Sequence, residues 1–177
     1  MFKIIAILDS IVDQGRAFKL MHINALGIDK AIPVYVDNIS NYQVGDYIDA
    51  KRIDILQVID ENGKRAIFPR LIDTCKSDSE ELVDLKLQVY GAIQKNKTMP
   101  DKLMEIGVNG RKFYRAGVCT HGWGDVYFRI PIFAYGNIAK KLHSLNQGTR
   151  ALFSMKLYTD NRNDFAYKVT RVENVTE

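Results

Sequence analysis

The stretch from Thr120 to Leu142, "THGWGDVYFRIPIFAYGNIAKKL", concentrates side chains that can recognise a flat, charged ligand. From Val126 to Tyr135 it alternates as a strand does. Phe128, Ile130, Ile132 and Ala134 fall on one face and read as core. Tyr127, Arg129, Pro131, Phe133 and Tyr135 fall on the other. Trp123, the single tryptophan of the chain, precedes them between two glycines in "HGWGD". Those glycines let the backbone bend and give the ring little support. Outward rings offer π faces for stacking, and a guanidinium offers both a stacking plane and a charge. The set suits planar rings joined by anions.

Neighbouring segments add to it. In Lys112–His121, Ala116 and Val118 read as core, which turns Phe113, Arg115 and His121 outward. In Arg150–Tyr158, Ala151, Phe153, Met155 and Leu157 read as core, which turns Lys156 and Tyr158 outward. Arg162 follows in the turn "TDNRND". Each has a plainer reading beside it. A strand aromatic such as Phe113, Phe133 or Tyr135 can pack against a partner surface, and a surface lysine or arginine, Arg111 and Arg150 included, is often just solvated. His121 reads as a polar surface residue. Lys140 and Lys141 fall on the solvent face of a helix.

The 177 residues suffice for one medium domain or two small ones, and 46% hydrophobic with 26% charged is an ordinary globular composition. No apolar run reaches transmembrane length. The N-terminal "MFKIIAILDSIVDQG" is broken by Asp9 and Asp13, so it reads as a strand and not as a secretory leader; a cytoplasmic protein is expected. Cys75 and Cys119 stand far apart without a CxxC, which excludes a disulfide framework and a zinc site and predicts two reduced thiols. The net charge of +4 is unevenly spread. Residues 1–82 carry 10 Lys+Arg against 13 Asp+Glu, whereas residues 83–177 carry 15 against 8. Six aromatics precede residue 83 and twelve follow it. The second half is therefore the candidate surface for a polyanion with stackable rings.

The two halves echo each other. "KAIPVYVDNI" (Lys30–Ile39) matches "FRIPIFAYGNI" (Phe128–Ile138) with one residue inserted, 98 residues on at Ile32 and Ile130. "RAFK" at Arg16 matches "RKFY" at Arg111, 95 on. "VGDYIDAKRID" matches "QGTRALFSMKL", 103 on from Gly45 to Gly148. "IAILDSIV" matches "LQVYGAIQ" with Ile11 on Ile93, 82 on. The offsets rise in chain order, as they do when loops lengthen in a second copy. Each copy reads as three strands, a connector and two strands. In the second copy these are Leu85–Gln94, Lys112–His121, Val126–Tyr135, Arg150–Tyr158 and Phe165–Val175. Its connector is a helix over Asn137–Leu145, since Ile138, Leu142 and Leu145 share a helical face and Gly148 follows as a stop. In the first copy "DNISNYQ" is too short for a real helix. This is the layout of the OB-fold, a partly open barrel that binds on strands 2 and 3 and the flanking loops. The expected fold is all-β: two tandem five-stranded OB barrels with at most one short helix each. The expected division is an acidic barrel over 1–78, a linker over 79–83 within the polar "KSDSEELVD", and a basic barrel over 84–177.

The second copy resembles the single-stranded DNA-binding (SSB) proteins of bacteria and phages. "LKLQVYGAIQK" is similar to their first strand, and "FRIPIFAYGNIAKKLHSLNQGTRALFSMKL" to their third strand, helix, turn and fourth strand. "FAYKVTRVENV" is similar to their closing strand. The resemblance covers about residues 84–175. It implies that Tyr135 takes the place of the DNA-stacking aromatic at the end of strand 3, and that Trp123 lies near the tryptophan at the end of strand 2. A family aromatic near the start of strand 3 falls on Arg129, with Tyr127 and Phe128 beside it, which departs from the pattern. Two such domains in one chain are similar to tandem-domain SSBs, which assemble so that four OB-folds meet. The acidic tail with a terminal aromatic, by which many SSBs recruit partners, has no counterpart after "RVENVTE"; this puts such recruitment in doubt and brings a phage or mobile-element origin into view.

The expected activity is non-catalytic coating of single-stranded DNA in replication, recombination or transfer, without strong sequence preference. Trp123, Tyr135, Phe133, Tyr127, Phe113 and Tyr158 would stack on bases. Arg129, Arg115, Lys156 and Arg162 would meet phosphates. Phosphate-loop, dinucleotide-binding, zinc-protease and nucleophile-elbow motifs are absent, and no cofactor or metal is expected. In the first copy the matching face would carry Phe18 and Tyr35 among Asp29, Asp37, Asp46, Asp49 and Asp54, a charge that repels phosphate. That barrel is expected to serve homo-oligomer or protein contacts instead. A scaffold protein of a replication complex and an RNA-binding protein are the alternatives. No membrane contact is expected.

Overall fold

A computed structural model of the chain describes residues 1–13, 16–59, 65–95, 102–121, 127–159 and 165–174. The chain divides into two units, Met1–Leu85 and Lys86–Glu177. The first holds β1 (Phe2–Asp13), β2 (Arg16–Ala25), β3 (Ile28–Val36), β4 (Tyr47–Ile59) and β5 (Arg65–Lys76). They close into a barrel in the order β1-β2-β3-β5-β4. The second holds β6 (Lys86–Gln94), β7 (Met104–Ile106), β8 (Arg111–His121), β9 (Tyr127–Tyr135), α1 (Gly136–Ser144), β10 (Arg150–Thr159) and β11 (Phe165–Asn174). Its sheet runs β6-β10-β11-β9-β8-β7, and an added β6–β8 pairing joins the ends into a ring of the same order as the first. In both rings the third and fifth strands pair in parallel, while the other pairings are antiparallel. This is the OB-fold arrangement, twice.

The strands form where alternation places an apolar residue inward at every second position. In β9 the even-numbered face is buried throughout, and in β10 the odd-numbered face is buried from Ala151 to Leu157. The barrel interiors close over Ile4, Met21, Ile23, Ile32, Val34 and Ile48 in the first unit. In the second they close over Ile93, Val118, Ile130, Ala151, Phe153 and Leu142, the last from α1. The helix packs with Ala139 and Leu142 inward. Two lysines tie it down: Lys141 Nζ donates to Val172 O at 2.6 Å, and Lys95 Nζ to His143 O at 3.0 Å near the helix C-terminus. There the exposed carbonyls favour cations. In the first unit the same connector is a single 3-10 turn, Ile39–Asn41. The segment after β5 stays with the first barrel: Met1 N donates to Glu81 O, Val83 N to Met1 O and Leu26 N to Val83 O.

The hydrogen-bond ladders give the register of the internal repeat. Ile23 lies opposite Ile32 across β2–β3, and Val118 lies opposite Ile130 across β8–β9. These pairs differ by the 95 and 98 residues of the two sequence echoes. Gly45 N donates to Ile4 O and Ile4 N to Asp46 O, each at 2.9 Å. In the second unit Gly148 N donates to Ile93 O and Ile93 N to Thr149 O, also at 2.9 Å. Gly45 and Gly148 are thus equivalent, at the offset of 103 read from sequence. The same bonds correct the fourth echo. Ile93 corresponds to Ile4 and not to Ile11, an offset of 89 in place of 82. The physical reason is that β1 carries register shifts between Ile4 and Ala6 and between Ser10 and Val12. Each shift resets the alternation, so a displaced match keeps the right apolar pattern.

Sequence also missed β7. Met104, Glu105 and Ile106 are all exposed, so no buried face marks the strand. It pairs only with the start of β8 among the described residues, with Met104 opposite Phe113 and Ile106 opposite Arg111.

Candidate nucleic-acid interface

Two strands build the centre of the outward face of the second barrel. Across β8–β9, Phe113 lies opposite Tyr135, Arg115 opposite Phe133, Gly117 opposite Pro131, Cys119 opposite Arg129 and His121 opposite Tyr127. Directly opposed residues share a face of the sheet, so the outward sets of both strands meet. β11 adds Lys168 next to Phe133 by its parallel pairing, and β10 adds Lys156 opposite Lys168. Tyr158 lies two residues along from Lys156 and therefore on the same face.

The rings form one cluster. Phe113 lies 5.2 Å from Tyr135 and 6.2 Å from Phe133 between ring centres. Phe133 meets Tyr135 edge-on at 5.6 Å and Tyr158 edge-on at 6.0 Å. Such tilted and edge-on contacts are the favoured aromatic geometries. Depth sorts the cluster. Phe113 and Phe133 are 7% and 8% exposed, whereas Tyr158 is 43% and Tyr127 57% exposed. Tyr135 is half-buried. Tyr127, with His121 at 4.0 Å, forms a separate exposed pair at the other end of the same two strands.

Cations surround the tyrosines. Arg111 stands 4.8 Å from the Tyr135 ring centre, and Lys168 Nζ stands 5.5 Å from Tyr135 and 6.0 Å from Tyr158. Arg115 stands 5.2 Å from Phe113. These are cation–π distances, each worth about 0.5–1 kcal/mol at an exposed site. Arg129 lies across the bare backbone of Gly117: a Cβ there would sit 2.8 Å from the guanidinium carbon. Glycine inside a strand often marks such a close approach.

Of the residues singled out by sequence, Tyr135, Phe133, Phe113, Arg115, Lys156 and Tyr158 come together, and Arg129 and Tyr127 adjoin them along β9. Trp123 and Arg162 lie outside the described residues. Sequence passed over Lys168 and Gly117 and left Arg111 ambiguous. Alternation in "FAYKV" does turn Lys168 outward between buried Tyr167 and Val169. Its neighbours, however, follow only from the ladder register. Burial pushes the Tyr167 phenol well above its ordinary pKa, as befits a core residue. Glu105 of β7 accepts a hydrogen bond from Lys112, which holds its carboxyl below the usual value. That acid is thereby paired at the edge of the basic face.

The first barrel answers each of these positions differently. Tyr35 lies beside Arg70 across β3–β5 as Phe133 lies beside Lys168. By the same offset of 98, Asp37 holds the position of Tyr135. Asp37 accepts two hydrogen bonds from Arg70 Nη2, at 2.9 and 2.8 Å. Leu20, at the position of Arg115, is buried with Phe68 against Tyr35, Leu56 and Ala66. Asp54 lies opposite Arg70 where Lys156 lies opposite Lys168. The Phe18 side chain lies outside the described residues.

Searches against solved structures bear on the whole chain. The wild-type single-stranded DNA-binding protein from Thermus aquaticus is similar over 99% of this chain and 90% of that one, with a TM-score of 0.68 at 13% identity. The chain shares that protein's fold. A deletion mutant of the same Thermus aquaticus protein, carrying R190A, matches 97% of this chain and 80% of its own, with a TM-score of 0.63 at 13% identity. No protein-family model matches the sequence, and no curated protein is similar to it. The likeness is one of fold, at 13% identity.

Proposed function

We propose that the chain binds single-stranded DNA, without strong sequence preference, on the outward face of its second barrel. One observation carries the reading: Tyr135 stands between Arg111 and Lys168 on a bed of Phe113 and Phe133. A half-open ring flanked by two cations offers a base its π face and the adjoining phosphates their counter-charges. The fold shared with the Thermus aquaticus single-stranded DNA-binding protein supports the reading. Tyr135, Tyr158 and Tyr127 supply the open stacking surfaces, with Trp123 and Arg162 as further contacts. Phe113 and Phe133 support the tyrosines more than they meet bases. Arg129, Arg115 and Lys156 meet phosphates. The first barrel, over about residues 1–78, serves assembly or protein contact, and the chain acts as a homo-oligomer without catalysis in replication or recombination. No helix among the described residues is long and apolar enough to cross a membrane.

Titration of the full chain with fluorescein-labelled oligo-dT at rising salt tests this. Binding that weakens steeply with salt and quenches tryptophan fluorescence is the expected result, since released counterions make phosphate binding salt-dependent. Absence of binding at low salt overturns it. A matched oligo-rU competitor that displaces the DNA at equal concentration would move the assignment to RNA.

A further inference from the structure

We propose that Lys86, Lys156 and Lys168 form a phosphate track across β6, β10 and β11, along which the backbone of the bound strand runs perpendicular to the protein strands. The inference deepens the single-stranded DNA reading and rests on it. Lys86 lies directly opposite Lys156, and Lys156 directly opposite Lys168. The rung continues to Phe133 on β9 and to Arg115 on β8. Its lysine part crosses three neighbouring strands and, with strands about 4.8 Å apart, covers about 10 Å. Three cations in one rung match the charge of a polyanion.

Two further observations point the same way. Lys168 Nζ stands within 6.0 Å of both Tyr135 and Tyr158, so the end of the track meets the stacking rings. A backbone on the lysines would turn its bases onto those tyrosines. The first barrel serves as an internal control. Its rung has Asp54 for Lys156, and Arg70 for Lys168 is ion-paired with Asp37. That barrel closes with a single cation at these positions, already paired, so the fold does not require the lysines at both.

The test is the salt dependence of oligo-dT binding by the full chain with Lys86→Gln, Lys156→Gln and Lys168→Gln combined. Each phosphate neutralised on a single strand contributes about 0.7 to the slope of log K against log salt. The triple variant should lose about 2 from that slope, while the matching triple Lys→Arg variant should keep it. Lys140→Gln, on the exposed side of α1, should leave the slope unchanged. Circular dichroism and the thermal midpoint should show the Gln variant folded at the assay temperature. A wild-type slope in the folded Gln variant sinks the track and leaves DNA binding standing. So does an equal loss from Lys140→Gln as from Lys168→Gln alone, which would assign the effect to net charge. Failure of the wild-type chain to bind oligo-dT overturns the functional reading itself.

Discussion

The two barrels share a ladder and differ on one face. At the position where the second carries Tyr135 beside Lys168, the first carries Asp37 in a two-bonded ion pair with Arg70. Where the second carries Arg115, exposed, the first buries Leu20 under Tyr35, Leu56 and Phe68. One copy spends its cation on its own carboxylate and fills the surface with apolar contacts. The other leaves its cations against aromatic faces. The lesson is that an OB barrel needs only its inward residues to close. The outward residues of strands 2, 3, 4 and 5 are free to be sealed or to bind, and the choice is legible in what stands opposite the fifth-strand cation.

The largest effect should come from making the second barrel like the first. Tyr135→Asp removes a stacking ring and places a carboxylate within reach of Lys168 and Arg111. Stacking alone is worth about 1–3 kcal/mol per base. With the loss of a phosphate contact added, oligo-dT affinity should fall by about 100-fold or more while the barrel stays folded. Anisotropy titration reads the first and near-UV circular dichroism the second. Retention of affinity within about threefold would show that Tyr135 is not where the two faces diverge in function.

The reverse exchange should act on stability rather than binding. Asp37→Asn removes the charge and one of the two acceptors facing Arg70, whose side chain is 15% exposed against 47% for Asp37. A partly exposed pair of this kind is worth about 1 kcal/mol. In a unit of this size that lowers the melting midpoint by roughly 4–8 °C, read by calorimetry. DNA affinity should stay within about twofold, because Leu20, Phe68 and Leu56 still fill the face and Asp54 still opposes phosphate. A tenfold gain in affinity would mean that one ion pair, and not the whole face, silences the first barrel.

Much of this was written in the sequence, though at uneven depth. Alternation assigned the core of β9 and β10 correctly, and the helical spacing of Ile138 and Leu142 located α1 to within a residue. Alternation reports which face a residue takes, not how deep it lies. Phe133 and Tyr135 look alike in "IPIFAY", yet the first is almost covered and the second half-open, because Phe113, Tyr135 and Tyr158 all pack around Phe133. The ion pair between Asp37 and Arg70 spans 33 residues and a parallel pairing, and no local pattern encodes it. Lys168 and Lys86 needed the register of two strand pairings, one of them between strands far apart in the chain, to become neighbours of Lys156. The bulges of β1 defeated the repeat at its first strand, while the Ile-Pro and glycine echoes, which lie in regular ladders, held.

The smallest expected effect tests whether the contrast extends along β9. Gly117 and Arg129 correspond to His22 and Ala31 in the first barrel, so the bulky and the bare position are exchanged between the copies. In the second barrel the guanidinium of Arg129 lies flat where a Cβ on residue 117 would stand. Gly117→Ala should therefore lift Arg129 off the sheet. Gly117 is covered, but the displaced atoms belong to a flexible side chain, so the barrel's stability should change by no more than about 1 kcal/mol. Oligo-dT affinity should fall about threefold to tenfold, matching Arg129→Ala. The double variant should lose no more than either single one, because both changes remove the same contact. Full additivity would assign Gly117 and Arg129 separate roles, and the size exchange between the barrels would then concern packing alone.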